Sequence, residues 1–235
     1  MNLRVLPIVL IAGLLLTGTA FAADQAVKRG GLLYDKWFAG REKPRTNHPL
    51  YPATGKKKGA ATWRCKECHG WDYIGSRGRY AKGSHFTGIK GTYQVAGKPV
   101  SEIESMLKNG KHDFSRVLSN DDIRALATFL SEGQIDIVKF VGSDNRALGE
   151  ADGGKPLYEE NCASCHGTDG GQLDFKAKKD GVQGVGWLAR KNPQETLHKI
   201  RFGHPGSDMP SMVVDAGLGE KQISDLLAYT QTLKQ

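Results

Sequence analysis

All four cysteines of this 235-residue chain belong to two copies of one pattern, in which two cysteines three positions apart are followed at once by a histidine. Two thiols at that spacing lie on one helical turn and reach the two vinyl groups of one porphyrin. The histidine then points its imidazole at the iron. The pattern therefore predicts two covalently attached haem c groups. Their attachment residues and proximal iron ligands are Cys65, Cys68, His69, Cys162, Cys165 and His166.

Two other uses of paired cysteines fit this arrangement less well. A zinc ribbon gathers four ligands around one ion and keeps its cysteine pairs about 15 to 20 residues apart. Here Cys68 and Cys162 are 94 positions apart, and each pair has its own histidine. A thioredoxin-type redox site needs a single motif that follows a strand. The spacing therefore favours haem over both alternatives.

The N-terminus has the features of a secretory signal peptide. Arg4 gives the first residues a positive charge, residues 5–16 are almost wholly apolar, and residues 20–22 match an A-x-A cleavage site. The apolar run is shorter than the roughly 20 residues that span a bilayer, and an uncleaved anchor is the alternative. We therefore predict that residues 1–22 are removed and that the mature chain is periplasmic, with no membrane span after cleavage.

Beyond the haem motifs, the chain resembles the tandem dihaem cytochromes c of class I, of the bacterial periplasmic type. The resemblance runs from about Gly30 to Leu233 and includes a glycine directly after each haem motif. It implies an all-α fold with two small helical domains, each wrapped round one haem. We predict these domains at residues 23–141 and 142–235, with a linker near residues 141–149.

An internal repeat supports this organisation. Residues 30–34 before the first motif match residues 153–158 before the second, since both begin Gly-Gly and end in tyrosine. Each half then has a short helix, which starts at proline and is expected to end at glycine. An amphipathic helix closes each half. The prolines are Pro99 and Pro193, the glycines Gly110 and Gly203, and the matched apolar positions Ile123, Leu126, Phe129, Ile223, Leu226 and Tyr229.

One segment departs from the repeat. Tyr34 and Cys65 are separated by 30 residues, whereas Tyr158 and Cys162 are separated by three. The extra piece, at about residues 37–62, is rich in proline and lysine, so we expect a loop and not an added helix. We interpret it as a flap over one haem edge, with a docking surface as the alternative.

The sixth iron ligand of the second half is predicted within residues 203–210, which resemble the family's distal methionine loop and end in Met-Pro. Met209, which lies 43 residues after His166, is the predicted ligand. Met212 and then His204 are the alternatives.

The first half has no methionine in the matching loop. His112 stands there instead, also 43 residues after His69, and is the predicted sixth ligand. Met106 is an alternative, although its place on the preceding helix suits core packing better. His85, which lies 16 residues after His69, and an iron left open are the others.

This difference in ligands predicts different reduction potentials. Thioether ligation raises the potential of a haem relative to ligation by two imidazoles. We therefore expect a low-potential haem in the first domain and a higher-potential haem in the second. Electrons are expected to enter through the first and leave through the second.

Net charge also differs between the halves. Residues 1–141 hold 22 Lys and Arg against 12 Asp and Glu, whereas residues 142–235 hold 11 against 13. Clustered charge speeds association with a partner of opposite sign. We expect the first domain to dock on the acidic face of another redox protein, with a general solubility charge as the alternative. Export and the lack of a basic-aromatic motif argue against nucleic acid.

Two classes of function fit these features. The first is an electron carrier with two six-coordinate haems and no catalytic residues, which the ligand pattern favours. The second is an oxidoreductase similar to dihaem thiosulfate dehydrogenases or haem c peroxidases, and a gas sensor is a weaker third reading. Both the oxidoreductase and the gas sensor require a first haem whose iron has a labile or open ligand position. No fifth cysteine is present to serve as a thiolate ligand of the thiosulfate dehydrogenase type.

Overall fold

The structure is a computed structural model that describes residues 12–175 and 182–234, with side chains from residue 22 onward. Across these ranges the regular structure is helical, with two isolated β-bridges and no strand, so the predicted all-α class is confirmed. The α-helices are α1 Ala12–Lys36, α2 Cys65–His69, α3 Val100–Leu107, α4 Asn120–Thr128, α5 Ala151–Asn161, α6 Ala163–His166, α7 Val185–Lys191, α8 Pro193–Phe202 and α9 Glu220–Thr232.

The predicted signal peptide falls partly outside this description. Residues 1–11 lie outside the described residues, and residues 12–22 form the start of α1. Within the described part of the chain, no helix combines the length and apolarity needed to cross a membrane.

Each half contains one close helix crossing made possible by a glycine. A Cβ added to Gly30 on α1 would lie 2.2 Å from the carbonyl oxygen of Ala125 on α4. A Cβ added to Gly154 on α5 would lie 2.0 Å from the carbonyl oxygen of Asp225 on α9. Both distances are far shorter than van der Waals contact, so any larger residue would push the two helices apart. The glycines of the sequence repeat thus mark equivalent crossings.

A tyrosine four residues after each of these glycines fixes the haem motif to the crossing. The Tyr34 hydroxyl donates to the carbonyl of Gly70 at 2.6 Å, and the Tyr158 hydroxyl donates to the carbonyl of Gly167 at 2.9 Å. Gly70 and Gly167 directly follow the motif histidines and have φ of 82° and 79°, a region that favours glycine. Each motif helix therefore ends at a glycine anchored by a buried tyrosine.

The predicted helix ends are partly confirmed. Gly203 caps α8 with φ of 88°, as was expected. Gly110 does not end α3, as was expected, because that helix stops at Leu107 and Gly110 instead begins a short 3-10 turn. The matched apolar positions of α4 and α9 form the core as expected, except that Tyr229 is only partly buried.

The two halves share one hydrophobic core around His198 of α8. This histidine is fully buried, and its Nδ1 accepts from the Tyr73 hydroxyl at 2.9 Å while its Nε2 donates to the carbonyl of Gly31 at 2.9 Å. Burial lowers the pKa of His198 to about 4, so the ring is neutral near pH 7. Phe129 and Phe202 pack edge-on nearby, with centroids 5.3 Å apart. Aromatic side chains of both halves therefore pack together.

A buried carboxylate adds an ionic contact between the halves. Asp35 on α1 is 1% exposed and pairs with the guanidinium of Arg64 and with Lys199 Nζ on α8, the latter at 2.7 Å. Burial alone raises the pKa of Asp35, but the positive charges of Lys199 and Arg64 outweigh it and hold the pKa well below 3.8. The ion pairs therefore keep the carboxyl charged.

Replacing Asp35 with asparagine is expected to destabilise the protein by about 3–5 kcal/mol at neutral pH, because the buried Lys199 and the partly buried Arg64 lose their shared counter-ion. The folded-state pKa is depressed, so this stabilisation is present above pH 4 and is lost as pH falls through the folded-state value. Denaturant unfolding of the holoprotein measures the effect. Asp144→Asn, at an exposed pair with Arg146, is the control and should cost no more than about 1 kcal/mol. Equal effects of the two substitutions would contradict the prediction.

Candidate haem sites

The first motif forms the short helix α2, and a backbone carbonyl orients its histidine. His69 Nδ1 lies 2.7 Å from the carbonyl oxygen of Lys90, which requires Nδ1 to be the protonated nitrogen that donates. Nε2 is then the nitrogen with a free lone pair. A hydrogen bond of this kind from the far nitrogen is what holds metal-bound histidines in one tautomer and orientation. His69 therefore has the arrangement expected of a proximal iron ligand.

His112 faces the same site. The ring centroids of His69 and His112 are 6.2 Å apart, and the ring planes are nearly perpendicular at 86°. An imidazole nitrogen binds a metal at about 2 Å, so two imidazoles on opposite sides of one ion have centroids about 6 Å apart. Burial lowers the pKa of both histidines, that of His69 to about 4, which leaves them neutral and able to coordinate at pH 7. The structure brings these two predicted ligands together.

A third histidine, which the sequence gave no reason to single out, adjoins this pair. His48 lies in the loop insertion, is 8% exposed, and has its ring centroid 6.1 Å from that of His112. Its Nδ1 accepts from the Leu50 amide at 3.1 Å, and its ring packs against Trp63 at 4.5 Å. Burial and then the charge of His112 lower the pKa of His48 to about 4. His48 is therefore a packing neighbour of the site and a rival for its ligand role.

The insertion itself is a loop packed on this site. Its regular structure among the described residues is limited to a 3-10 turn at Gly59–Trp63, as its composition indicated. The indole of Trp37 donates to the carbonyl of Trp63 at 2.9 Å, and that of Trp63 donates to the carbonyl of Thr46 at 2.8 Å. Together with the burial of His48, these contacts favour the flap interpretation over a docking surface.

Two other predicted alternatives lie elsewhere. Met106 is 42% exposed on α3, so the expectation that it packs in the core was wrong. Ile103 and Leu107, four positions apart, occupy the buried face of that short helix, and Met106 lies beside it. His85 bonds Glu67 Oε1 through Nδ1 at 2.7 Å and lines a different cavity, the one at the second motif.

That cavity has a volume of about 990 Å³, at the upper end of the range for cofactor pockets. Cys162, Cys165 and His166 of the second motif line it, together with apolar side chains that suit a flat macrocycle. Among the described residues His166 Nδ1 is buried without a hydrogen-bond partner. Burial lowers the pKa of His166 and so favours the neutral, metal-binding form.

All three predicted distal candidates of the second half, Met209, Met212 and His204, line this cavity. Met212 is 3% exposed and belongs to the hydrophobic core, so packing already accounts for it. Met209 is partly buried in a loop, and its carbonyl accepts from the His204 amide at 3.3 Å. Met209, unlike Met212, is therefore a methionine whose side chain is not part of the hydrophobic core.

The cysteines fit thioether formation better than metal binding. Burial raises the pKa of Cys65 and Cys68 to about 12 and that of Cys162 to about 11, so these thiols stay protonated in the apoprotein. Thiolates are the form that zinc binds. Throughout residues 12–175 and 182–234, no three His, Cys, Asp or Glu side chains cluster as a metal site. The donor set at each motif fits a haem, with two thiols and one neutral imidazole.

Comparison with known proteins points the same way. Residues 149–229 match the family model described as cytochrome C oxidase, cbb3-type, subunit III, and this range contains the second motif and Met209. The chain is also similar to the cbb3-type cytochrome c oxidase subunit CcoP of Rhodobacter capsulatus, at 26% identity over 193 residues. The alignment covers 76% of this chain and 62% of that relative, so the chain spans less than two thirds of the relative's length. Both matches support a c-type cytochrome with covalent haem and a role in electron transfer.

Proposed function

We propose that this chain is a dihaem c-type cytochrome that carries electrons between exported redox proteins. When bound, a haem c supplies one-electron chemistry at its iron. The protein's part is to supply the ligands of each iron, exclude water and set the reduction potential. The observation that carries the proposal is the 6.2 Å spacing of the His69 and His112 rings, which suits two imidazoles on one ion.

Repeated geometry supports two haems. The Gly30 crossing recurs at Gly154, and the bond from Tyr34 to the first motif recurs as the bond from Tyr158 to the second. A glycine crossing and a tyrosine anchor together fix the position of each motif histidine. A second copy of this device, next to a cavity of about 990 Å³, is expected to hold a second haem.

The proposed ligands predict the direction of electron flow. His69 and His112 give the first haem two imidazoles, and His166 with Met209 gives the second an imidazole and a thioether. The second haem then has the higher potential, so electrons enter at the first and leave at the second. The basic residues of the first half favour an electron donor with an acidic docking face.

The comparison suggests a class of acceptor. The relative from Rhodobacter capsulatus is a subunit of a cbb3-type cytochrome c oxidase, and the match to the family model of subunit III of such oxidases lies on the second half of this chain. We propose that the second haem passes electrons to a redox protein of an oxidase complex. The predicted export of the chain as a periplasmic protein supports this proposal, because electron transfer requires the donor, the chain and the acceptor to share one compartment.

Haem content tests the dihaem proposal directly. The alkaline pyridine spectrum of the purified protein is expected to give about two haems c per chain. Cys65→Ser with Cys68→Ser, and separately Cys162→Ser with Cys165→Ser, should each remove one haem and leave the other. Ser164→Ala, inside the second motif, is the control and should keep both. One haem in the parent protein would refute the dihaem proposal.

A further inference from the structure

The cavity of the second motif has a wall built by the first half of the chain. Arg64, Trp71, Tyr80 and His85 line it, together with residues of α6 to α9. Trp71 and Tyr80 are 1% and 7% exposed, so they form a packed surface. These residues belong to a segment that also supplies the Lys90 carbonyl to His69. The segment of residues 64–90 therefore both orients His69 and forms one wall of the cavity at the second motif.

Charge on the cavity wall is predominantly positive. Among the described residues, two carboxylates line the cavity, those of Glu195 and Asp208. Six cations in the same described part of the chain line it, namely Arg64, Lys66, Arg79, Lys82, Lys191 and Lys199. The first four of these cations belong to the first half. A porphyrin of the haem type brings two propionate carboxylates, which are the anions that such a wall suits.

The buried cations of this wall are paired with carboxylates, so the excess positive charge lies at the exposed rim. Lys66 Nζ and Lys199 Nζ lie 5.3 Å and 5.4 Å from the ring centroid of Trp71, one from each half. Behind them, Asp35 pairs with Lys199 at 2.7 Å and Glu67 pairs with Lys66 at 3.0 Å. Asp35 also pairs with Arg64, so the lining cations with no carboxylate partner among the described residues are Arg79, Lys82 and Lys191, which are exposed. An anion at the rim of the cavity would therefore be attracted by this excess positive charge.

We propose that the first half of the chain binds the propionates of the second haem through Arg79 and Lys82 at the cavity rim. This inference rests on the proposed second haem. Arg79 is held in place by its guanidinium bond to Asn145 Oδ1 in the linker. The second haem is therefore a shared cofactor of both halves, and its potential depends on charges that the first half supplies.

The test is a redox titration of the full-length holoprotein carrying Arg79→Gln and Lys82→Gln. Positive charge favours the reduced haem, so its loss should lower the equilibrium constant for reducing the second haem roughly tenfold, or about 59 mV. The methionine–iron charge-transfer band follows that haem separately. Lys108→Gln with Lys139→Gln removes two exposed cations of the first half that do not line the cavity, and is the matched control.

The outcomes separate the inference from the function it rests on. A fall confined to the Arg79/Lys82 variant, and abolished in Arg79→Lys with Lys82→Arg, supports the shared cofactor. Equal potentials in parent, variant and control overturn it, while two haems per chain in all of them leave the dihaem proposal intact. If the double variant matures poorly, Lys82→Gln alone, at an exposed position, gives the same comparison.

Discussion

Replacing His112 with alanine is expected to convert the first haem from low spin to high spin while the second haem stays low spin. The ring of His112 is the group placed 6.2 Å from that of His69, and its loss leaves one side of the iron without a strong ligand. The oxidised absorption and electron paramagnetic resonance spectra report the spin state. Added imidazole should then bind at about one equivalent per chain and restore the low-spin spectrum.

The matched control is His48→Asn. Asparagine offers an oxygen in place of the Nδ1 that accepts from the Leu50 amide, so the loop keeps this hydrogen bond. This variant should stay low spin, because His48 is interpreted as a neighbour of the ligand. The reverse result, with His48→Asn high spin and His112→Ala low spin, would assign the ligand to the loop insertion and contradict the prediction.

The spin state of the first haem also separates the two classes of function. A carrier needs both irons six-coordinate, whereas a peroxidase-like or sensor role needs an exchangeable position. Asp113 and Arg116 follow His112, but Arg116 is exposed and the Asp113 carboxylate accepts from the Ser115 amide at 2.8 Å. Parent protein that is low spin and unreactive toward cyanide would support the carrier. A high-spin component in the parent would favour the enzyme.

The parts of the site that the sequence predicts are those set by local spacing. A helical turn brings Cys65, Cys68 and His69 together whatever the rest of the chain does, and the glycine after them ends that turn. Helix pattern likewise predicts the buried faces of α4 and α9. The error at Met106 arose because α3 is only eight residues long and its buried face is too narrow to include that position.

Local spacing does not predict contacts between segments that are far apart in the sequence. His48 and His112 are 64 positions apart, and nothing in the composition of the insertion indicates that one of its side chains is buried beside the other. The placement of His85 and Trp71 on the second cavity depends on how the two halves pack. That packing is fixed by single contacts such as the bond between Tyr73 and His198, which no repeat or motif encodes.

Replacing Met209 with leucine is expected to abolish the methionine–iron charge-transfer band and lower the potential of the second haem by roughly 0.1–0.3 V, within the range of about 0.8 V over which axial ligands act. Leucine fills a similar volume without a thioether, so the fold is retained. Redox titration combined with the near-infrared spectrum measures both effects.

Met212→Leu is the matched control for this substitution, because Met212 is buried in the core and lines the same cavity. It should keep both the band and the potential, at a stability cost below about 1.5 kcal/mol. Loss of the band in this variant alone would transfer the ligand role to Met212. A parent protein with no sulfur band would point to His204, and two bis-imidazole haems would then remove the physical basis for electron flow from the first half to the second.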